Sequence, residues 1–455
     1  MRTALFAAAA LMLALPAAAQ SVDTARIDAA IASTLKDQDS PSASVAVVQD
    51  GVVVYARAFG HADIAAKKPA TAATRYEIAS VSKEFTAAAI LLLQEDGKLS
   101  LDDRVSKWLP DLTRADEVTV RQLLSHTSGY SDYWPQDYIM KPMMSDTTPR
   151  AILDGWAKRP LDYKPGDKWQ YSNTGYVVAG QIIEKVTGEP LFVFLKRRIF
   201  DPLDMTGVRD ADTIRKSGGV DAQGYQRYAL GPQRAVDREG RGWLYAMGEM
   251  NTTAADVAKW DAALMAGRLL KPESLKVMTT EVKLADGKGA GYGLGLTIGK
   301  SGDRVQWEHG GEGTGFLSEN RMWPDQKTAV VVLTNTFSSS AYMTIADRIE
   351  AILFPPTGVQ PKVEALFASL QAGKPDRSGF TENFNGYLTA QTVADYRATL
   401  GPLGKPTLFK LQRERLRGGM TQRTYRIAAG GKTLTLNSYQ EPSGKFEQFL
   451  IDEAH

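Results

Sequence analysis

Apolar residues recur at Ile27, Ile31 and Leu35 in DTARIDAAIASTLKDQ, the spacing of one helix face. The period then changes. In SASVAVVQDGVVVYARAFG two β-branched runs flank Asp50-Gly51, which predicts a hairpin with a tight turn. A long apolar run begins after Ser80-Val81-Ser82-Lys83 and predicts a buried helix from about Ser82 to Gln94. DEVTVRQLLSHTSGY reads as a helix stopped at Ser128-Gly129. From about Leu101 to Leu270, helical patches are joined by Pro- and Gly-rich loops. The clearest patch is TTAADVAKWDAALMAG, with Thr252 or Thr253 to cap it and Gly267 to end it. Strand patterns return in GYGLGLTI, RVQWEHG, GTGFLSENRMW and TAVVVLTNT, and AYMTIADRIEAIL closes the region as a helix. Strands on both sides of a helical middle predict an α+β fold: one antiparallel sheet, built from both ends of the region, with helices packed on it.

FPPTGVQPK breaks the pattern. The expected organisation is a large domain over 20–355, a linker over 356–375 and a small α+β domain over 376–455. In the small domain TAQTVADYRATLGPLG is helical, and TLFKLQRERL, MTQRTYRIAA, KTLTLNSYQ and KFEQFLID are strand-like. No fixed-period repeat is present.

Composition adds three constraints. The first residues, MRTALFAAAALMLALPAAAQ, have a positive start, an apolar run and a small-residue end, which predicts a signal peptide over 1–19 cleaved between Ala19 and Gln20. The apolar stretch from Ala4 to Leu15 is short for a membrane span, so the expectation is an exported chain, compatible with a periplasm, without a stable membrane anchor after cleavage. The absence of cysteine excludes disulfides, a thiol nucleophile and thiolate metal sites. A formal charge of +2 with scattered Lys and Arg implies no nucleic-acid partner.

The chemistry starts at Ser80 and Lys83. Residues three apart on a helix share a face, about 5–6 Å apart, so a helix starting at Ser80 would bring its hydroxyl to the Lys83 amine. Apolar neighbours such as Phe85, Ala88 and Ile90 would desolvate that amine and lower its pKa, giving a nucleophile and its base. The spacing alone is not specific: Ser33 and Lys36 repeat it inside the first amphipathic helix, where a solvated lysine is expected.

Two other segments carry matching chemistry. KWQYSNTGYVVAGQIIEKVTG holds Tyr171-Ser172-Asn173 ahead of an apolar helix, and WEHGGEGTGFLSEN holds His309-Gly310-Gly311 at a strand end. In order, the three boxes resemble those of the serine hydrolase family that contains class C β-lactamases, D-alanyl-D-alanine peptidases and related esterases: Ser-x-x-Lys, Tyr-x-Asn, and a third box opening on Lys or His with Gly at its third place. YEIASVSK, LLSHTSG and MNTTAADVAKW extend the likeness, which runs from about Ser40 to Phe354.

The resemblance implies roles. Ser80 forms an acyl-enzyme. Lys83 and Tyr171 share the general-base work, with the lysine cation favouring the phenolate. Asn173 bonds Lys83 and a substrate amide, and the N–H groups of Ser80 and Glu312 make the oxyanion hole. Gly311 and its neighbours let the substrate backbone approach. His309 stands where β-lactamases usually carry lysine, and a neutral imidazole holds a substrate carboxylate less firmly. The expected activity is therefore hydrolysis of a small acyl ester or D-amino-acid peptide. A class C-like β-lactamase, a cell-wall peptidase and a non-catalytic penicillin-recognition module are the alternatives.

No cofactor is implied. The histidines, His61, His126, His309 and His455, have no metal-ligand spacing, and no Gly-x-Ser-x-Gly elbow is present. His126 reads as a structural hydrogen-bonder. Ser131-Asp132-Tyr133 lacks the Asn of a Ser-Asp-Asn box and is set aside. Tyr133, Trp134, Trp243 and Tyr245 are candidates for the acyl pocket or for core packing.

Overall fold

The computed structural model describes residues 22–216, 221–355 and 358–454; the expected leader over 1–19 lies outside them. The main sheet has seven strands in the order Lys68–Pro69, Val52–Asp63, Ser42–Gln49, Thr328–Thr334, Phe316–Trp323, Arg304–Gly313 and Thr297–Ser301. Its centre joins the two ends of the domain in antiparallel register, with Val45 opposite Val332 and Val47 opposite Val330. Asp50 and Gly51 take φ of 52° and 76°, the left-handed pair that a two-residue hairpin turn requires.

Alternation along these strands serves two cores. Val45, Val47, Val330 and Val332 face Ile27 and Ile31 of the helix Thr24–Asp37 and Ile345 and Ile349 of the helix Ala341–Leu353. Ala46, Val48, Val331 and Leu333 face the opposite side, where the helix Ala254–Met265 and the helical middle pack. Burial on both faces is why these strands read as continuous β-branched runs. The helix Ser82–Glu95 runs through the second core with every residue from Ser82 to Leu93 buried, so it shows little amphipathicity. Thr253 caps the helix Ala254–Met265 by accepting from the N–H of Asp256 at 3.1 Å.

Three expectations are corrected. The helix in DEVTVRQLLSHTSGY covers only Val120–Leu124, because His126 takes φ of 59°, which a right-handed helix cannot propagate. In GYGLGLTI the strand starts only at Thr297; Gly295 sits at φ of 77°, where a Cβ would lie 2.9 Å from the carbonyl oxygen of Lys83. The expected linker over 356–375 contains the helix Gln360–Gln371, whose Val363, Leu366, Phe367 and Leu370 belong to the C-terminal core. The four strands Leu408–Arg417, Met420–Ala429, Lys432–Gln440 and Phe446–Glu453 form an antiparallel meander over that core. It docks on the helix Ala341–Leu353 through Lys410, whose amine lies 2.9 Å from both Asp347 Oδ1 and Glu350 Oε2.

Candidate active site

Ser80 lies in a single 3₁₀ turn, Ala79–Val81, that leads into the helix Ser82–Glu95. Ala79 is held at φ of 44°, costly for a residue with a side chain. Neighbouring bonds pin the turn: the N–H of Ile78 donates to Met250 O at 3.0 Å, and Ser318 Oγ donates to Ile78 O at 2.9 Å. Lys83, one turn on, is fully buried, with Nζ 2.9 Å from Ser80 Oγ and 2.9 Å from the Met247 carbonyl oxygen. Burial lowers its pKa to about 7, against a smaller opposing pull from the charge of Asp132.

Tyr171 precedes the helix Asn173–Thr187, which Ser172 caps through the N–H of Gly175. Its phenol is close enough to Ser80 for the hydroxyl to act on its pKa, and its ring centroid lies 5.0 Å from Lys83 Nζ. Burial pushes the phenol above its usual pKa. The environment therefore holds the proton on Tyr171 and makes Lys83 easy to deprotonate near neutral pH, so the lysine rather than a phenolate is the readier base. His126 steadies the tyrosine: its ring lies 4.2 Å from that of Tyr171, and its Nδ1 accepts the N–H of Ser172 at 3.1 Å. Burial lowers the His126 pKa well below the usual imidazole value, so the ring is neutral.

Asn173 makes no hydrogen bond to Lys83, its expected partner. Its Nδ2 donates to Asp132 Oδ2 at 3.2 Å and its backbone N–H to Asp132 Oδ1 at 3.1 Å, while its Oδ1 is buried without a donor. Asp132 thus belongs to the site although its tripeptide lacks the Asn of the Ser-Asp-Asn pattern.

The third segment is the strand Arg304–Gly313. A Cβ on Gly311 would sit 2.1 Å from Ile78 O and 2.2 Å from Ser318 Oγ, so glycine is what lets this strand lie against the turn bearing Ser80. His309 is buried, with Nδ1 2.6 Å from Gly310 O and Nε2 2.9 Å from the Tyr292 hydroxyl. Burial, then the nearby Lys83 charge, lowers its pKa to about 3. The neutral ring that fits these partners donates from Nδ1 and accepts at Nε2. Glu312 is exposed as a residue but its carboxyl faces the cavity wall, where partial loss of solvent, then the charge of Asp137, raises its pKa.

These segments border one cavity of about 1060 Å³ that Ser80, Tyr171, Asn173, His309, Gly311 and Glu312 line. Trp134 lines it as well. Tyr133 is fully buried, and neither it nor Trp243 or Tyr245 reaches the cavity; all three pack in or against the core of the helical middle. Tyr292 and the Met247 carbonyl had no signal in the sequence: one is a tyrosine outside every motif, the other a backbone oxygen.

A helix-flanked antiparallel sheet with a serine and a buried lysine at its cleft defines the class of serine hydrolases related to penicillin-binding proteins. The chain belongs to the Beta-lactamase family, whose profile matches residues 27–353. It is 29% identical over 336 residues to penicillin-binding protein 4* of Bacillus subtilis, covering 70% of this chain and 74% of that protein. A D-stereospecific amidohydrolase from Streptomyces sp. matches with a TM-score of 0.62 and 28% identity over 74% of this chain and 100% of its own. The octameric penicillin-binding protein homologue from Pyrococcus abyssi shares the fold over 94% of this chain and 99% of its own, with a TM-score of 0.64 and 23% identity.

Proposed function

We propose that the protein hydrolyses an ester or amide of a small acyl group or D-amino acid through an acyl-enzyme on Ser80. The observation that carries this reading is the Ser80 hydroxyl within hydrogen-bond distance of a buried amine whose pKa burial lowers to about 7. Near neutral pH a large share of Lys83 is the free base. As Ser80 Oγ bonds to the acyl carbon, its proton passes to Lys83. Tyr171, still a phenol, protonates the departing oxygen or nitrogen as its bond to the acyl carbon breaks, and Lys83 returns a proton to Tyr171. Water then attacks the acyl carbon, its proton goes to the same base, and Ser80 leaves with a proton restored. The N–H groups of Ser80 and Glu312 are the proposed oxyanion donors.

His309 supports esterase or D-amino-acid amidase action over β-lactamase action. Both ring nitrogens have partners within the protein, and the ring carries no charge to hold a substrate carboxylate. The D-stereospecific amidohydrolase among the similar structures supports the same side.

A fluorophosphonate probe tests the reading. Stable labelling of the wild type that disappears in Ser80→Ala is expected. No labelling under any condition would leave a binding module instead. Nitrocefin turnover matching that of small acyl esters would overturn the preference against β-lactams.

A further inference from the structure

The strand Arg304–Gly313 has strand partners on both edges only as far as Glu308. From His309 on, one edge is open among the described residues, and this stretch lies beside the turn that bears Ser80. Gly310 and Gly311 follow, and a glycine pair on an open edge is free to pivot. There is room for it: a Cβ on Gly310 would have no neighbour nearer than 3.7 Å. A side-chain bond restrains the pivot, from His309 Nδ1 to Gly310 O at 2.6 Å.

Counting protons leads from this bond to Tyr292. A carbonyl oxygen only accepts, so Nδ1 carries the proton. In the neutral ring Nε2 is then bare and needs a donor, and the group facing it at 2.9 Å is the Tyr292 hydroxyl. Burial holds the proton on that phenol. Tyr292 is 3% exposed and does not line the cavity, so it acts on the reaction through what it touches. Its ring also completes a circuit of four. Centroids lie 4.2 Å apart from Tyr171 to His126 and 4.8 Å from His126 to Tyr292. They lie 5.9 Å apart from Tyr292 to His309 and 6.3 Å from His309 back to Tyr171. Tyr292 thereby joins the segments that carry the second and third boxes.

We propose that Tyr292 is a positioning residue: by donating to Nε2 it fixes His309 as the Nδ1–H tautomer, and that tautomer pins the Gly310 carbonyl and the open strand edge beside Ser80. The inference rests on the hydrolase reading above and adds a residue that none of the three boxes contains. Glu312, whose N–H is a proposed oxyanion donor, lies two residues beyond Gly310. A pivot at the glycines tilts that donor. Removing an oxyanion donor outright costs about 10²–10³-fold, and tilting one costs less.

Tyr292→Phe keeps the ring packing and removes only the hydroxyl. The chain has 4 histidines, so selective 15N labelling gives a simple spectrum, and His309→Asn assigns the His309 signals. At about pH 7 the wild type should show a proton on Nδ1 and a bare, hydrogen-bonded Nε2, and Tyr292→Phe should shift the Nε2 resonance. On a nitrophenyl ester, Tyr292→Phe should lower kcat/KM about tenfold. Asparagine at 309 still has a donor for Gly310 O but cannot reach Tyr292. In His309→Asn, therefore, the same Tyr292→Phe change should cost less than about twofold. A tyrosine that only supports the core lowers Tm and leaves the His309 tautomer and the cycle unmoved. A proton on Nε2 in the wild type, or additive losses in the two backgrounds, would overturn the inference. Absence of fluorophosphonate labelling in the wild type sinks the hydrolase reading and this inference with it; labelling with additive losses sinks the inference alone.

Discussion

Lys83 Nζ sits 2.9 Å from Ser80 Oγ, inside a helix start with no exposed lysine surface. Burial brings this amine to about 7, so its basic form grows as pH rises through that value. For a neutral nitrophenyl ester, kcat/KM should climb about tenfold per pH unit below about 6.5 and level off above about 8. Lys83→Arg should lose at least about a hundredfold and the rising limb with it, since arginine stays protonated. A pH–rate profile of both proteins checks this.

Tyr171→Phe should separate substrates by leaving group. A nitrophenolate departs without a proton, whereas an amide nitrogen needs one. The expected loss is about 10²–10⁴-fold on a D-amino-acid amide and clearly smaller on a nitrophenyl ester. Equal losses on both would assign Tyr171 to positioning alone.

Gly311→Ala places a methyl group 2.1 Å from Ile78 O. The strand must move off the serine turn, so labelling of Ser80 should fall sharply and stability should drop by about 1–3 kcal/mol. Gly310→Ala is the control: its Cβ would have no neighbour nearer than 3.7 Å. Probe labelling and urea melts of the two variants give the comparison.

Behind Lys83, Glu84 and Asp261 are buried carboxyls that share Asn320 Nδ2, at 3.1 Å from Glu84 Oε1 and 2.9 Å from Asp261 Oδ1. Burial raises Glu84 to about 8 and Asp261 in the same direction. A raised acid pKa means that the folded state holds the proton more tightly, so stability is full below the unfolded value near 4.5 and is lost as pH rises toward 8. Relative to Glu84→Gln, the wild type should lose Tm between pH 5 and pH 8, against the opposite trend that the lowered pKa values of His126 and His309 give both proteins. Thermal melts across this range test it.

Ending the chain at Pro355 removes Lys410 from Asp347 and Glu350 but no residue that lines the cavity. Asp347 keeps Arg321, 2.6 Å away. Ester hydrolysis should persist, with Tm lowered by several degrees. A folded truncated protein without activity would give the C-terminal unit a part in the chemistry.

Residues 42–49 and 328–334 state their own structure, since β-branched runs buried on both faces have few other solutions. Asp50-Gly51 likewise dictates its turn. The segment Gln360–Gln371 was harder: its flanking prolines and glycine read as a break, and only the C-terminal core gives Val363 and Phe367 something to cover.

The sequence alone determined which groups are available, in boxes short enough for local geometry to hold them: Ser80 with Lys83, Tyr171 with Asn173, His309 with Gly311. Their protonation and their partners were decided in three dimensions. A pKa depends on the water removed by residues far along the chain, and a hydrogen bond goes to whichever acceptor the packing delivers. Met247 therefore holds Lys83, Asp132 takes the amide of Asn173, and Tyr292 occupies His309, none of which a linear motif encodes.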